Sequence, residues 1–274
     1  MSNTIFITGA SSGLGKATAK LFHSKGWNVI ATMRKPEEEK ELSLLDNVTL
    51  LKLDVTSLSS IEECVRAATS QFSIDVVFNN AGYGLVGPLE TLSDEQITNL
   101  LNTDLLGVIR VTKAFMPHFR EKGAGLFINT SSVGGVITFP LNALYHAAKW
   151  GLEGLAESLH FEFSKLGIGI KNILPGGIRT DFIGRSLVYG TLNTAPYQSI
   201  LDKANETFSQ VMKPEQLTPP EVIAETVYEA ATDGKDQLRY IAGEDGKQFI
   251  ANRNKIGADA FREQFDQLFF GKKE

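Results

Sequence analysis

One cysteine, Cys64, stands in a chain of 274 residues, so no internal disulfide can form and a reducing, cytoplasmic setting is expected. Its neighbours Ile61, Val65 and Ala68 put it on an apolar helix face, where a thiol is core material. No apolar run approaches the roughly 18 residues that a membrane helix needs, and the first strand pattern opens at Thr4, so neither a span nor a signal peptide is expected. Basic blocks are missing and the net charge is −5, which argues against nucleic-acid and anionic-membrane partners. Histidine, cysteine and acidic residues show no metal-ligand spacing, so no metal is expected. Linkers, repeats and low-complexity tracts are also lacking, which predicts one domain over residues 1–274.

What is present is an ordinary soluble composition, 42% hydrophobic and 22% charged, organised around residues 4–20. Thr4 to Thr8 is a β-branched and aromatic run that reads as a buried strand. Gly9, Gly13 and Gly15 punctuate the turn after it, and Leu14, Ala17, Thr18, Leu21 and Phe22 then fall on one helix face. Strand, glycine turn and helix in that order make a phosphate site. Glycine lets the backbone approach an anion, and the free N–H groups at the helix start point at it with the helix dipole behind them. The spacing is G-x-x-x-G-x-G, different from the G-x-G-x-x-G dinucleotide fingerprint.

Further strands are read at 27–34, 48–55, 74–82, 125–132, 168–177 and 237–243. Helices are read at 57–72, at 93–120 with a Ser93/Gln96 capping box, and from about Leu144 to Lys165. Two more are read at 218–234 and 246–270. This alternation predicts a doubly wound α/β fold of Rossmann type: a mainly parallel seven-stranded sheet with helices on both faces. Residues 181–213 break the pattern and are expected to form a partly helical lid over the strand ends, with 214–274 a C-terminal helix–strand–helix unit. In such sheets ligands lie at the carboxyl ends of the strands, which is where the glycine and polar positions gather. At the end of the second strand stands Arg34 with no acid before Glu37. An acid there would suit a ribose 2′-hydroxyl, whereas arginine can fork onto a 2′-phosphate, so NADP(H) is favoured over NAD(H).

Tyr145 and Lys149 are four apart on a predicted helix and share a face. Ser132 lies thirteen residues upstream, at a strand end. A neighbouring ammonium and an oxidised nicotinamide both favour the phenolate of a tyrosine, which can then exchange a proton with a carbonyl or alcohol oxygen. The Ser132 hydroxyl could hold that same oxygen.

TGASSGLG (8–15), DV (54–55), NNAG (79–82), Ser132 with YHAAK (145–149), and PGGIRT (175–180) occur in the order and spacing of the short-chain dehydrogenase/reductase family, which the chain resembles from residue 4 to about 181. The resemblance implies an NAD(P)-dependent oxidoreductase acting on CH–OH or C=O groups. It implies Ser132 as orienter of the substrate oxygen, Tyr145 as acid/base, and Lys149 as the residue that lowers the tyrosine pKa and binds the nicotinamide ribose. It further implies Gly9, Ser11, Ser12, Gly13, Leu14 and Gly15 at the phosphates and Asp54 and Val55 at the adenine. Asn79, Ala81 and Gly82 would line the central cofactor site, and Pro175, Gly176, Ile178 and Thr180 the nicotinamide amide; Arg34 and Ser12 would meet the 2′-phosphate.

One position departs from the family: DLLG puts Asp104 where the family has an asparagine of its proton relay. A carboxylate there could hold a water near Lys149 but would offset part of the ammonium's pull on Tyr145, so an active enzyme with an altered pH optimum is expected. Leu85, Phe139, Phe182 and Tyr189 are expected as apolar substrate walls, pointing to a hydrophobic alcohol or carbonyl compound. A homo-oligomer, dimer or tetramer, through the two long helices is also expected. The rival reading is a dinucleotide-binding sensor without turnover, for which Asp104 alone speaks.

Overall fold

The computed structural model describes residues 2–179, 187–211, 213, 215 and 217–271. Thr180 and Phe182, both expected at the site, lie outside them. The strands are β1 (Thr4–Thr8), β2 (Asn28–Met33), β3 (Val48–Lys52), β4 (Val76–Asn79), β5 (Gly84–Val86), β6 (Gly125–Thr130), β7 (Ile168–Pro175), β8 (Leu187–Tyr189) and β9 (Arg239–Ala242). The helices are α1 (Gly13–Ser24), α2 (Leu58–Gln71), α3 (Asp94–Leu101), α4 (Gly107–Lys122), α5 (Ala143–Phe163), α6 (Gln198–Val211), α7 (Pro220–Thr232), α8 (Glu244–Ile256) and α9 (Ala258–Phe270).

Seven strands form one sheet in the order β3-β2-β1-β4-β6-β7-β9, every neighbouring pair parallel. Parallel strands covered on both faces need apolar residues at consecutive positions, which is why β1 is buried at all five of its residues. Side chains alternate between the two faces. Ile5 and Ile7 pack with Leu14 and Phe22 of α1 and with Ile223 and Val227 of α7. Phe6 faces the other way, into a core with Val65 of α2, Phe115 of α4 and Phe163 of α5. The strand order reverses between β1 and β4, and the carboxyl ends of those two strands are where such a sheet opens a crevice for a ligand.

The seven-stranded Rossmann-type sheet is thus as the sequence pattern predicts, but three boundaries differ. The helix expected at 93–120 begins with its Ser93/Gln96 capping box, then is interrupted by a π-turn at Asn102–Leu106, closed by the Gly107 N–H on the Asn102 carbonyl. The helix expected at 246–270 breaks at Gly257, which adopts φ 87°. A second, two-stranded parallel sheet pairs β5 with β8, so the segment expected only to be partly helical also contributes a strand. Gly190 donates its N–H to the Val86 carbonyl at 2.9 Å and lies against Thr91, which fixes residues 187–190 on the β5 edge. Beyond it, Ala204 and Phe208 of α6 pack on Phe261, Phe265 and Phe269 of α9. No helix among the described residues is long and apolar enough to cross a membrane.

Candidate active site

The turn after β1 has the shape its glycines predict. Gly9 and Gly13 adopt φ of 70° and 52°, in the left-handed region where only glycine is comfortable. A Cβ on Gly15 would lie 2.3 Å from the Gly9 carbonyl oxygen, so α1 starts closer to the turn than any other residue allows. Asn80 pins this turn to the end of β4: its amide nitrogen donates to the Thr8 and Gly9 carbonyls at 3.1 and 3.2 Å. The Thr8 hydroxyl in turn accepts the N–H groups of Asn80 and Ala81. The first turn of α1 carries no acidic side chain. Its N–H groups, the helix dipole and the glycine backbone therefore fit an anionic dinucleotide phosphate.

Arg34 is exposed at the end of β2 and close enough to Asp54 to favour that carboxylate. Burial pushes the Asp54 carboxyl up, but two hydrogen bonds from Thr56 together with Arg34 leave it below its ordinary value. Val55 is buried against Gly107. Asn79, 2% exposed, donates its side-chain amide to Thr112 on α4 and to Asn129 on β6, and so ties the end of β4 to its neighbours. Gly82 backs onto the Asp104 carboxylate, where a Cβ would come within 2.9 Å of oxygen.

Past β7, the Gly176 N–H bonds the Ala242 carbonyl, the Gly177 N–H bonds Asp245 at 2.7 Å, and Ile178 bridges to Thr218. Asp245 and Thr218, which the sequence reading missed, therefore hold the Pro175–Gly176–Gly177 turn. A Cβ on Gly176 would lie 2.3 Å from the Asp245 carboxylate, which explains glycine there.

Ser132, Tyr145 and Lys149 converge at the carboxyl end of β6. The Ser132 hydroxyl accepts the Gly134 N–H at 2.9 Å, leaving its own O–H to be donated elsewhere. Tyr145 is half-buried against the cluster of Leu85, Leu92 and Leu100. Lys149 is buried, and its ammonium lies 5.6 Å from the centre of the Tyr145 ring. It donates to the Thr130 carbonyl at 3.0 Å and pairs with Asp104 at 3.1 Å. Asp104 is seated in the π-turn, 1% exposed, and its other oxygen accepts the Tyr83 N–H at 3.0 Å. A π-turn at a polar position inside a long helix is a frequent mark of a functional site. Burial pushes the Lys149 ammonium down, but Asp104 and the Tyr145 oxygen raise it more, so it stays charged above its ordinary range. Burial lifts the Asp104 carboxyl, with Lys149 and the Tyr83 N–H offsetting part of the rise. The same burial and the Asp104 charge push the Tyr83 phenol up to about 12.

The residues expected as substrate walls divide. Leu85 is buried and supports Tyr145 from behind, whereas Tyr189 is exposed on β8. Phe139 is half-buried in an aromatic group with Phe249 and Phe265. His146 is buried and bonded at both ring nitrogens.

The model of short chain dehydrogenases matches residues 3–187. An uncharacterised oxidoreductase of Schizosaccharomyces pombe is 41% identical over 230 residues, which are 84% of this chain and 96% of that protein. Human retinol dehydrogenase 8 is 36% identical over 202 residues, covering 70% of this chain and 64% of the human protein. The crystal structure of a short-chain dehydrogenase from Streptomyces avermitilis superposes with a TM-score of 0.84 at 30% identity, covering 97% of this chain and 95% of that one. With the motifs, the parallel sheet and these matches in agreement, the chain is an oxidoreductase of the short-chain dehydrogenase/reductase family.

Proposed function

We propose that the protein transfers a hydride between NADP(H) and an apolar carbonyl compound or secondary alcohol. The observation that carries this reading is the Lys149 ammonium, fixed between the Thr130 carbonyl and Asp104 and facing the Tyr145 ring beside the glycine turn. When bound, the nicotinamide nucleotide supplies or accepts the hydride. Gly9, Ser11, Ser12, Gly13, Leu14 and Gly15 hold its phosphates, Asp54 and Val55 its adenine, and Ala81 and Gly82 its central part. Pro175, Gly176, Ile178 and Thr180 hold its amide.

The chain's own residues supply the rest. Ser132 gives its free O–H to the substrate oxygen. Tyr145 passes a proton to or from that oxygen, and Lys149 stabilises the phenolate left behind. Arg34 meets a 2′-phosphate. ElxO, whose structure holds NADP, is 26% identical with a TM-score of 0.73 and supports that preference. An apolar substrate agrees with the half-buried aromatic group of Phe139, Phe249 and Phe265. It also agrees with the names of two relatives, human retinol dehydrogenase 8 and a 3-ketodihydrosphingosine reductase of Bacteroides thetaiotaomicron, the latter 38% identical over 179 residues and covering 65% of each chain. A homo-oligomer through α4 and α5 accords with the exposed Trp150 and Phe161 of α5; light scattering would read its size.

Tyr145→Phe tests the chemistry. Turnover of NADPH with a panel of ketones, aldehydes and quinones falls by roughly 10²–10⁴-fold, while cofactor affinity and melting temperature hold. Undiminished turnover in that variant ends the proposal.

A further inference from the structure

His146 follows Tyr145 in the chain but serves a different element, the loop from β6 to α5. The residue is 5% exposed. The Phe139 N–H donates to Nε2 at 2.8 Å, and Nδ1 lies 2.8 Å from the Gly134 carbonyl oxygen. A backbone N–H can only donate and a carbonyl can only accept. Nε2 is therefore the acceptor and Nδ1 carries the proton: the imidazole is neutral, in one defined tautomer. Burial, which lowers the pKa of the ring, acts in the same sense.

One side chain thus bridges the two ends of the loop segment 134–139. Gly134, held through its carbonyl by His146, gives its own N–H to the Ser132 hydroxyl at 2.9 Å. A Cβ on Gly134 would lie 3.1 Å from Nδ1 and 3.3 Å from the Ser132 oxygen, so imidazole, glycine and serine are in close contact in series. At the far end Phe139 packs on the His146 ring at 5.6 Å and on Phe265, also at 5.6 Å. The loop is therefore anchored to α5 by hydrogen bonds and to α9 by rings.

We propose that His146 is a positioning residue: through the Gly134 peptide it sets the Ser132 hydroxyl where a substrate oxygen is received. This rests on the reading of Ser132 given above. The Gly134 link, not the Phe139 link, transmits the effect.

Two near-isosteric variants separate the links. In His146→Asn the amide nitrogen stands where Nδ1 stood and keeps the bond to Gly134. In His146→Gln the amide oxygen stands where Nε2 stood and keeps only the bond to Phe139. With one carbonyl substrate, His146→Asn keeps kcat/KM within about threefold of the wild type, whereas His146→Gln loses roughly 10-fold or more, the effect of one buried hydrogen bond. In a Ser132→Ala background the loss from His146→Gln disappears, because residues acting through one group are not additive.

If Ser132→Ala is impaired but the His146→Gln loss persists in full on top of it, His146 does not act through Ser132, and the proposal falls while the assignment of Ser132 stands. If Ser132→Ala has wild-type activity, both fall. A measurement on the unaltered protein needs no variant to fold: nitrogen-15 spectra of the histidine rings show the Nδ1–H tautomer at His146. An Nε2–H tautomer or a cationic ring at neutral pH overturns the inference.

Discussion

Replacing Asp104 with asparagine removes the charge that faces Lys149 while keeping shape and volume. One oxygen of Asp104 accepts the Tyr83 N–H and the other makes the ion pair with the ammonium. An asparagine offers one acceptor and one donor, so either Tyr83 or Lys149 must then face an N–H. At 3.1 Å and an effective dielectric constant near 20, the lost attraction is about 5 kcal/mol. Desolvation of the carboxylate offsets part of that, leaving a destabilisation of about 3 kcal/mol at neutral pH. For a chain of this size, that corresponds to a fall in melting temperature of roughly 6–12 °C.

The pH dependence carries the sign. In the native protein Lys149 is raised above its ordinary 10.5, so its contribution is complete below that pH and is lost as pH rises through the folded value. In Asp104→Asn, burial is no longer opposed by a carboxylate and depresses the lysine instead. The variant then gains stability as pH rises toward 10.5, because its unfolded state binds the extra proton. The gap between the two proteins is therefore widest near neutrality and narrows toward pH 10, and melting curves at the two pH values measure it. The pH–rate profile moves with it, since the ammonium that serves Tyr145 titrates earlier. A gap that is equal at both pH values, together with superimposable pH–rate profiles, refutes the coupling of Asp104 to Lys149.

Gly15→Ala drives a methyl into the Gly9 carbonyl and the Asn80 amide, at 2.3 and 2.6 Å, so binding of NADPH followed by fluorescence is lost at concentrations that saturate the wild type. Arg34→Ala removes the cation at the end of β2; the preference for NADPH over NADH, taken as a ratio of kcat/KM values, falls by roughly 10-fold or more. At Asp233 burial opposes ionisation, but Lys171, the Lys235 N–H and the Tyr240 hydroxyl outweigh it and hold the carboxyl at about 2. Its contribution to stability is present above the ordinary 3.8 and is lost as pH falls through about 2. Asp233→Asn therefore flattens the acid limb of melting temperature against pH between those values while lowering stability at pH 7.

The sheet was legible because each strand is a short apolar run closed by glycine or polar residues, and its parallel sense follows from the alternation with helices. The parts that were not legible have separate causes. The π-turn at Asn102–Leu106 adds one residue to a helix whose apolar positions Leu101, Leu105 and Val108 still fit an uninterrupted 3.6 period. Strands β5 and β8 have three residues each, too few for an alternation to register. The family motif implied Asn79 at the cofactor, and the hold of its amide on α4 was not read although parity carries it: Asn79 lies two residues after Val77 and shares the face that packs on α4. The departure at Asp104 was visible in DLLG, but sequence placed a water beside Lys149, where the structure has a direct ion pair. His146 was missed because helical spacing tells which residues share Tyr145's face, not which of the others reach back to the loop before the helix.

A buried polar row explains how a lysine on a helix is held to one strand end with such close tolerance. Asn79, Asn129, Asn172 and Arg239 stand opposite one another across β4, β6, β7 and β9. The three amides bond in series at 2.9 and 3.0 Å. The Asn172 amide then donates to Glu153 of α5 at 2.9 Å, and Arg239 closes on the other oxygen of Glu153. Slipping any of these strands by one residue would strand buried amides at about 1–3 kcal/mol each. The row therefore fixes register in a way that apolar contacts, which tolerate sliding, do not. Glu153 lies one helical turn beyond Lys149, so the contact that ends the row also sets how far α5 advances along the sheet. Thr130, whose carbonyl receives the Lys149 ammonium, directly follows Asn129 in β6. The asparagine row and the lysine site are thus consecutive positions on one strand and consecutive turns of one helix. A change that shifts the first by a residue cannot leave the second in place.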